Sequence, residues 1–435
     1  MAEVNLLYIG SILSAALGLL ALYLVRKNET LDWNESIAAH ILCLMFISKG
    51  VQNASAAYYF TASGNEWQFF FQLSTMMEYF FGGAMVMMCL VYPIPFLRTK
   101  KHLKIAALVL LGHLSLKIAL NLAGMSPHVL QLPGTLYVAG CLVWGTVYVR
   151  FRTLPQEQRT ESTRKIALLC GLFLTLIMGH AWMWWPGLFM QADYFFFIDA
   201  GGGAFTPMSW DFSLLNGYAF CISVGLVMLV VELYMAINGD RSNLVYIVST
   251  YYILGAIGYT VLSSKDSAGF FSDAAGLAEL WNTLTSSMHF TIIRPIIALY
   301  VLMKYDLFDI NPTTRPIAKT MAIILIVVAT SAILELVQTI IPINQMVSAA
   351  LLGIIIALGV GWEERSFNSL VTDPFDIRKG VDERWYPDLD IKTNHISRID
   401  GYAFVYLLLS LLISYIVWQT GTPMETLIER TEASS

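Results

Sequence analysis

Apolar runs of about twenty residues are the feature that most constrains what this chain can fold into. A helix rises about 1.5 Å per residue, so such a run crosses a hydrocarbon core of roughly 30 Å. Hydrophobic residues make up 57% of the 435 residues and charged residues only 13%, whereas about a quarter of an ordinary soluble domain is charged. A membrane β-barrel would show short alternating segments instead. The sequence therefore predicts an all-α fold, a polytopic membrane helical bundle.

The apolar runs predict about twelve transmembrane helices. The first run is followed by Arg26 and Lys27, and it has neither a basic leading region nor a small-residue cleavage site. We therefore expect it to be a retained helix and not a signal peptide. We place the spans at 5–25, 37–62, 67–92, 104–124, 132–149, 166–189, 212–236, 243–264, 281–303, 320–340, 346–362 and 401–418.

The distribution of basic residues predicts the orientation. If the N-terminus lies outside, the loops on the cytoplasmic side hold 21 of the 26 Lys and Arg residues. The opposite side holds only Lys265 and Arg430, while Lys49, Lys117 and Arg294 fall within spans. Cytoplasmic loops of membrane proteins carry an excess of Lys and Arg. The sequence thus predicts a multi-pass protein of the plasma (cytoplasmic) membrane with both termini on the non-cytoplasmic side.

Polar residues in spans 2, 3 and 4 form the first candidate site. A charge at the bilayer centre costs at least about 2.5–3.5 kcal/mol, so such residues face the bundle interior and have partners. Lys49 and Glu78 lie at matched depth on adjacent antiparallel spans, which predicts an ion pair, and residues 113, 117 and 121 share one helix face. The pair either forms part of a ligand or ion site or only orients two helices. The candidate residues are Lys49, Gln52, Asn53, Glu78, His113, Lys117 and Asn121.

A second polar cluster is predicted in spans 9 and 10. Arg294 lies near mid-depth before Pro295, where the helix loses a hydrogen bond and can kink. Glu335 lies in span 10, so Arg294 and Glu335 form a second candidate pair. The cluster comprises His289, Arg294, Glu335 and Gln338. Glu232, near the inner end of span 7, is expected to extend toward the interface.

Cysteine and histidine positions do not indicate a cofactor. Each Cys lies in a different apolar run without CxxC spacing, so we expect buried packing residues and neither disulfides nor a zinc site. No span carries two histidines, and a haem is accordingly not expected. We predict no metal and no cofactor, although an aromatic outer segment, 191–210, leaves room for a lipid or pigment ligand. The residues are Cys43, Cys89, Cys141, Cys170, Cys221, His40, His113, His180 and His289.

Known enzyme motifs are missing from the sequence. It contains no phosphate-binding loop, kinase signature, HExxH helix or GxSxG elbow. No residue is therefore predicted to be catalytic, and we expect a non-enzymatic protein. Nothing in the composition suggests a nucleic-acid partner.

Short motifs give a partial resemblance to a known family. The segment Lys304-Tyr-Asp-Leu-Phe-Asp-Ile-Asn-Pro312 resembles the junction that closes the N-terminal multi-helix (7TM-type) sensor region of membrane histidine kinases. The first helix ending in Arg26-Lys27 and the third ending in Val91-Tyr92-Pro93 are similar to the start of that region. The resemblance covers roughly the first 310 residues. It implies a sensing module whose output is a partner protein, and it transfers no catalytic residue.

The chain departs from that family in two respects. About nine spans precede the junction where seven are expected, and three more helices follow in place of a kinase domain. We predict a nine-helix, sensor-like region over 1–303, then 304–435 with three further helices and a 38-residue cytoplasmic loop, 363–400. Segments 304–319 and 363–400 are the predicted contacts with a cytoplasmic signalling partner.

Three functions stay open from the sequence. The first is a membrane sensor or ligand-binding module that signals through its cytoplasmic loops. The second is an ion- or proton-coupled secondary transporter of a small solute, which intramembrane charges and a Pro-interrupted helix would suit. The third is an accessory subunit of a membrane complex.

Overall fold

A computed structural model describes residues 2–61, 66–97, 99–122, 133–183, 185, 212–263, 289–340, 367–368 and 371. In this part of the chain every regular element is a helix, which confirms the predicted all-α class. The helices are α1 (Ala2–Lys27), α2 (Trp33–Thr61), α3 (Glu66–Val91), α4 (Lys100–Leu122), α5 (Pro133–Arg152), α6 (Glu161–Trp182), α7 (Phe212–Ile237), α8 (Asn243–Ser263), α9 (Arg294–Lys304) and α10 (Arg315–Ile340). A 3₁₀ turn covers Gln156–Gln158 and a π-helical segment covers His289–Ile293.

The described helices follow the predicted helical segments along the chain. The last two predicted spans, 346–362 and 401–418, lie outside the described residues. Among the described residues, α6 is the helix that is long and apolar enough to cross a membrane by length and composition. Shorter apolar stretches are Phe80–Val91, Cys221–Ile237 and Asn243–Gly258. A buried core helix of a soluble protein can be as long and as apolar as α6. The twelve-span bundle therefore stays a prediction.

Two compact units divide the helices. Unit 1 contains α1 to α4 together with α9 and α10, and unit 2 contains α6, α7, α8, the π segment and α5 from Tyr137 onward. The chain thus returns to unit 1 at Arg294, after the π segment. The predicted division of the chain into a nine-helix, sensor-like region, 1–303, and a region with three further helices, 304–435, is not tested by this grouping.

In unit 1, α1 and α2 pack backbone against backbone. The Ser11 hydroxyl donates to the carbonyl of Gly50 at 2.6 Å, and a Cβ on Gly50 would lie 2.9 Å from the Ser11 carbonyl oxygen. Gly18 on α1 is as crowded, because a Cβ there would meet Ile47. Small residues at such crossings allow close approach of helices, which is also how helices associate in lipid.

The segment that connects α9 to α10 is folded against unit 1. Tyr305, Leu307 and Phe308 are buried, and Asp306 adopts a left-handed backbone conformation with φ 57°. The side-chain amide of Asn28, which follows α1, donates to the Asp306 carbonyl at 3.0 Å. The aromatic and leucine side chains of the motif that carries the family resemblance are therefore part of the core, while Asp306 and Pro312 are exposed.

Unit 2 is arranged around α6. The helix begins with a capping box, in which Thr160 accepts from the Thr163 amide while the Thr163 side chain accepts from the Thr160 amide. From Thr163 to Trp182 most of its side chains are buried. It packs against α7, α8 and the π segment. The contacts described next are made at the two ends of α6.

Candidate functional site

A buried ion pair lies at the end of unit 2 where α5 and α7 terminate. Arg152 at the end of α5 binds Glu232 on α7 with both branches of its guanidinium, Nε to Oε1 at 2.9 Å and Nη2 to Oε2 at 3.0 Å. The Tyr148 hydroxyl donates to the same Oε1 at 2.7 Å. Arg152 is 4% exposed and Glu232 is fully buried. Two-pronged guanidinium–carboxylate contacts of this kind are among the strongest side-chain hydrogen bonds.

Asp240 extends this ion pair into a network. Its carboxylate accepts from Arg152 at 3.0 Å and from Arg159 at 3.2 Å, and its carbonyl accepts from Arg152 at 2.7 Å. Arg164 in the first turns of α6 lies 3.8 Å from the other carboxylate oxygen. We call Tyr148, Arg152, Arg159, Arg164, Glu232 and Asp240 the ion network. It joins the α5–α6 connection to the α7–α8 turn.

Charge balance keeps Arg152 protonated within this network. Burial disfavours the guanidinium, but the hydrogen bonds to Glu232 and the charges of Glu232 and Asp240 outweigh it, so the pKa of Arg152 is raised above its ordinary value. The network holds three guanidinium groups and two carboxylates, so its net charge is positive. Burying a charge pair this deeply costs desolvation energy, and the cost is offset only when hydrogen bonds satisfy the remaining polar atoms of both side chains.

A second polar centre occupies another part of unit 2. Its hub is His289 in the π segment, whose Nδ1 lies 2.8 Å from the Tyr251 hydroxyl and whose Nε2 lies 3.2 Å from the Leu176 carbonyl. A carbonyl only accepts, so we assign the ring proton to Nε2, and in the neutral ring Nδ1 then accepts from Tyr251. The ring of His180 on α6 lies 5.5 Å from that of His289.

Further aromatic side chains lie beside Tyr251: Trp182 packs edge-on against Tyr251, with ring centroids 5.8 Å apart, and stacks on Tyr252 at 6.4 Å. Trp182 donates to the Cys221 carbonyl at 3.1 Å, Tyr252 to the Ile222 carbonyl at 2.7 Å, and Trp185 to the Tyr252 carbonyl at 2.9 Å. These bonds hold the last turn of α6 against α7 and α8. We call His180, Trp182, Trp185, Tyr251, Tyr252 and His289 the histidine–aromatic cluster.

The cluster needs glycine on the facing helices. A Cβ on Gly179 would lie 2.8 Å from the Tyr251 ring and 2.9 Å from His289 Cε1. A Cβ on Gly225 would lie 2.5 Å from the Tyr252 hydroxyl and closer still to Trp182 Nε1. Carbon atoms do not approach that closely, so the aromatic rings occupy space that only a residue without a side chain leaves open.

The first predicted cluster is only partly covered by the described side chains. Lys49 donates to Gln52 Oε1 at 3.2 Å, a contact within α2. His113 is half-buried on α4. The side chains of the other members lie outside those described, so the predicted pair of Lys49 with Glu78 is untested. Those members are Asn53, Glu78, Lys117 and Asn121.

The second predicted cluster is divided by the grouping of the helices. Arg294, 8% exposed, lies over the Phe81 ring of unit 1 with its guanidinium carbon 5.2 Å from the ring centroid. His289 instead belongs to unit 2 and its histidine–aromatic cluster. The side chains of Glu335 and Gln338 on α10 lie outside those described, so the pair of Arg294 with Glu335 also stays a prediction.

Sequence reasoning missed the ion network. Glu232 was expected to extend toward the interface, but that expectation is wrong, because the residue is fully buried and bound by Arg152. A signal existed: Arg152 and Glu232 lie near the ends of spans 5 and 7, which were predicted to finish on the same side. The proximity of His180 and His289 had no signal in the sequence, because the two histidines lie on different helical segments.

Comparison with known proteins identifies no relative. No protein family, no curated protein and no solved structure matches the chain.

Proposed function

We propose that this protein is a multi-pass membrane sensor that signals to a cytoplasmic partner. The observation that carries the proposal is the pair of polar centres at opposite ends of α6, the ion network and the histidine–aromatic cluster. Between Arg164 and His180 the helix extends about 24 Å. For the sensor to work, α6 must have two discrete positions, so that a shift at one end reaches the other.

The ion network suits the output end of such a sensor. It connects the loops that follow spans 5 and 7, both predicted to be cytoplasmic, through Asp240. In unit 1, Asn28 and Asp306 connect the loops that follow spans 1 and 9, which are predicted to lie on that same side. Each contact joins loops of one predicted side, which supports the proposed topology. A ligand acting at the histidine–aromatic cluster would move α6 and thereby the cytoplasmic connections.

Labelling of single cysteines tests the proposed topology. In a background with the five native Cys replaced by Ser or Ala, Ser63→Cys and Glu157→Cys lie in loops predicted outside and inside, respectively. We expect a membrane-impermeant maleimide to label the cysteine at position 63 in intact cells and that at 157 only after the membrane is opened. Labelling of both positions in intact cells, or the reverse order, would contradict the topology.

Partner capture tests the signalling function. The protein in lipid nanodiscs should retain one soluble protein from its host, identified by mass spectrometry. A variant in which a Gly/Ser linker of equal length replaces 363–400 should lose it. As control, Glu161→Gln removes an exposed carboxylate that pairs with Lys165, and this variant should bind the partner as the unaltered protein does. Repeated failure to retain any partner would count against the sensor.

A secondary transporter is the second candidate, and one observation favours it. The backbone forms π-type hydrogen bonds over His289–Ile293, directly before Pro295 and the buried residue Arg294. Such irregular turns are frequent at functional sites, and transporter spans are often broken near their binding sites. Uptake of a solute into proteoliposomes that is lost in Lys49→Ala would favour this function over the sensor.

A further inference from the structure

The ion network leaves one of its guanidinium groups at the surface. Glu232 is bound by Arg152 at 2.9 and 3.0 Å. Asp240 is bound by Arg152 at 3.0 Å and by Arg159 at 3.2 Å. Arg164 is held more loosely, because its Nη2 lies 3.8 Å from Asp240 Oδ1 and its side chain is 59% exposed. The positive charge that the two carboxylates do not balance is therefore located mainly on Arg164.

Further basic residues lie along the two connections that the network joins. Arg241 follows Asp240 directly in the α7–α8 turn, and its side chain is exposed. Segments 150–165 and 232–241 together contain six basic and four acidic residues. Adjacent Cα atoms are about 3.8 Å apart, so the long side chains of Arg164 and Arg241 can reach the same anion. This end of unit 2 therefore attracts negative charge.

An exposed apolar surface begins next to these cations. Helices α7 and α8 pack against α6 and against each other, so their exposed faces lie on the outside of unit 2. The exposed side chains of each helix follow the spacing of one helix face, and on α8 they extend over about 17 Å. One leaflet of a hydrocarbon core of roughly 30 Å is about as deep. The residues are Val230, Leu233, Tyr234 and Ile237 on α7 and Tyr246, Ile253 and Ile257 on α8.

The two tyrosines of this surface lie nearest the α7–α8 turn along the chain. Tyrosine is enriched where a bilayer meets water, so Tyr234 and Tyr246 indicate that the turn lies at the depth of the lipid headgroups. Arginine binds phosphate oxygens with two parallel hydrogen bonds, and basic residues beside apolar helices on the cytoplasmic side bind anionic headgroups. The cations and the apolar surface together fit one molecule that carries both a phosphate group and acyl chains.

We propose that Arg164 and Arg241 bind the phosphate group of an anionic phospholipid whose acyl chains lie along the exposed face of α7 and α8. The bound phosphate balances the excess positive charge of the ion network. The inference rests on the membrane topology of the proposed sensor and not on its signalling.

Lipid titration followed by native mass spectrometry tests the site. The delipidated, detergent-purified protein should bind its first phosphatidylglycerol about 30-fold more tightly than phosphatidylcholine with the same acyl chains. Arg164→Gln combined with Arg241→Gln should weaken phosphatidylglycerol binding about tenfold. Arg241→Gln alone should weaken it about threefold, and this variant leaves all three guanidinium groups of the ion network in place.

A matched control removes two cations elsewhere on the same predicted side. Lys100 and Lys101 are exposed at the start of α4. Their combined replacement by Gln changes the net charge as much as the double arginine variant does, and it should leave phosphatidylglycerol binding unchanged. An equal loss in the two double variants would show attraction by overall charge, and it would overturn the proposal.

Competition and heating separate a lipid site from a site for soluble phosphate compounds. Phosphatidylglycerol should raise the melting temperature more than phosphatidylcholine does, because it binds the folded state, and high salt should reduce the difference. Glycerol phosphate should not displace the lipid, since it lacks acyl chains. Displacement by glycerol phosphate would overturn the lipid proposal, and so would equal binding of the two lipids. The maleimide test at position 157 measures topology independently, so a failure of the lipid site is distinguishable from a failure of the proposed topology.

Discussion

Replacing Glu232 with Gln is expected to lower the free energy of unfolding of unit 2 by about 3–5 kcal/mol, the cost of breaking a buried ion pair by removing one partner. The isosteric amide keeps the volume but removes the charge that balances Arg152, a residue only 4% exposed. Asp240 alone would then balance three guanidinium groups. Thermal unfolding in detergent, followed by circular dichroism, measures the loss.

Two further variants separate charge balance from packing. Glu161→Gln removes the 81% exposed carboxylate of the pair that Glu161 forms with Lys165 one turn later on α6, and it should leave the melting temperature nearly unchanged, since pairs of this kind on a helix contribute little. Arg152→Met combined with Glu232→Leu removes both charges, and buried pairs replaced in this way often regain stability. If the Glu232→Gln variant has the same melting temperature as the unaltered protein, the ion network does not hold α5 to α7.

Replacing Gly225 with Ala is expected to break the packing of α7 against the end of α6 and to cost about 1–3 kcal/mol, the usual penalty for overpacking. The added methyl group would occupy the space of the Tyr252 hydroxyl and the Trp182 indole nitrogen. Both groups would have to leave their hydrogen bonds to the Ile222 and Cys221 carbonyls. Tryptophan fluorescence should shift together with the loss of melting temperature.

Gly83 and Gly112 provide matched controls for that substitution. Both lie within helices, and a Cβ at either position would meet nothing within 4 Å. Ala at these positions should be neutral or stabilising by up to about 1 kcal/mol, since Ala is the better helix former. Equal effects at positions 225 and 112 would show that the cost comes from the helix backbone and not from the aromatic contacts.

The sequence alone was enough to predict the helices and their approximate bounds. The predicted span 243–264 begins at the first residue of α8, and the span 212–236 ends one residue before α7 does, because an apolar run bounded by polar residues has one favourable local structure. The ninth segment was different. Its first part, 281–288, lies outside the described residues, and His289–Ile293 forms π-type hydrogen bonds, which hydropathy does not encode.

Residue patterns on single helices did not predict the two polar centres of unit 2. Residue patterns predict which face of a helix is polar, and they placed Lys49, His113 and Arg294 among the functional candidates. They do not predict which helices become neighbours, since Arg152 and Glu232 are 80 residues apart. The same holds for Cys141 and Cys221, whose Sγ atoms lie 3.7 Å apart. The sequence predicted only that each would be a buried packing residue.

By itself, then, the sequence determined the all-α class, the position of the described helices and the alternation of basic loops that orients the proposed topology. Helix formation depends on the local sequence, and the predicted orientation depends on a sum of basic residues over the loops. Only the tertiary structure decided that Glu232 is buried against Arg152 and that the ring of His180 lies 5.5 Å from that of His289. These pairings depend on lateral packing, and lateral packing is set by side-chain shape at the helix crossings, such as the space left by Gly179 and Gly225.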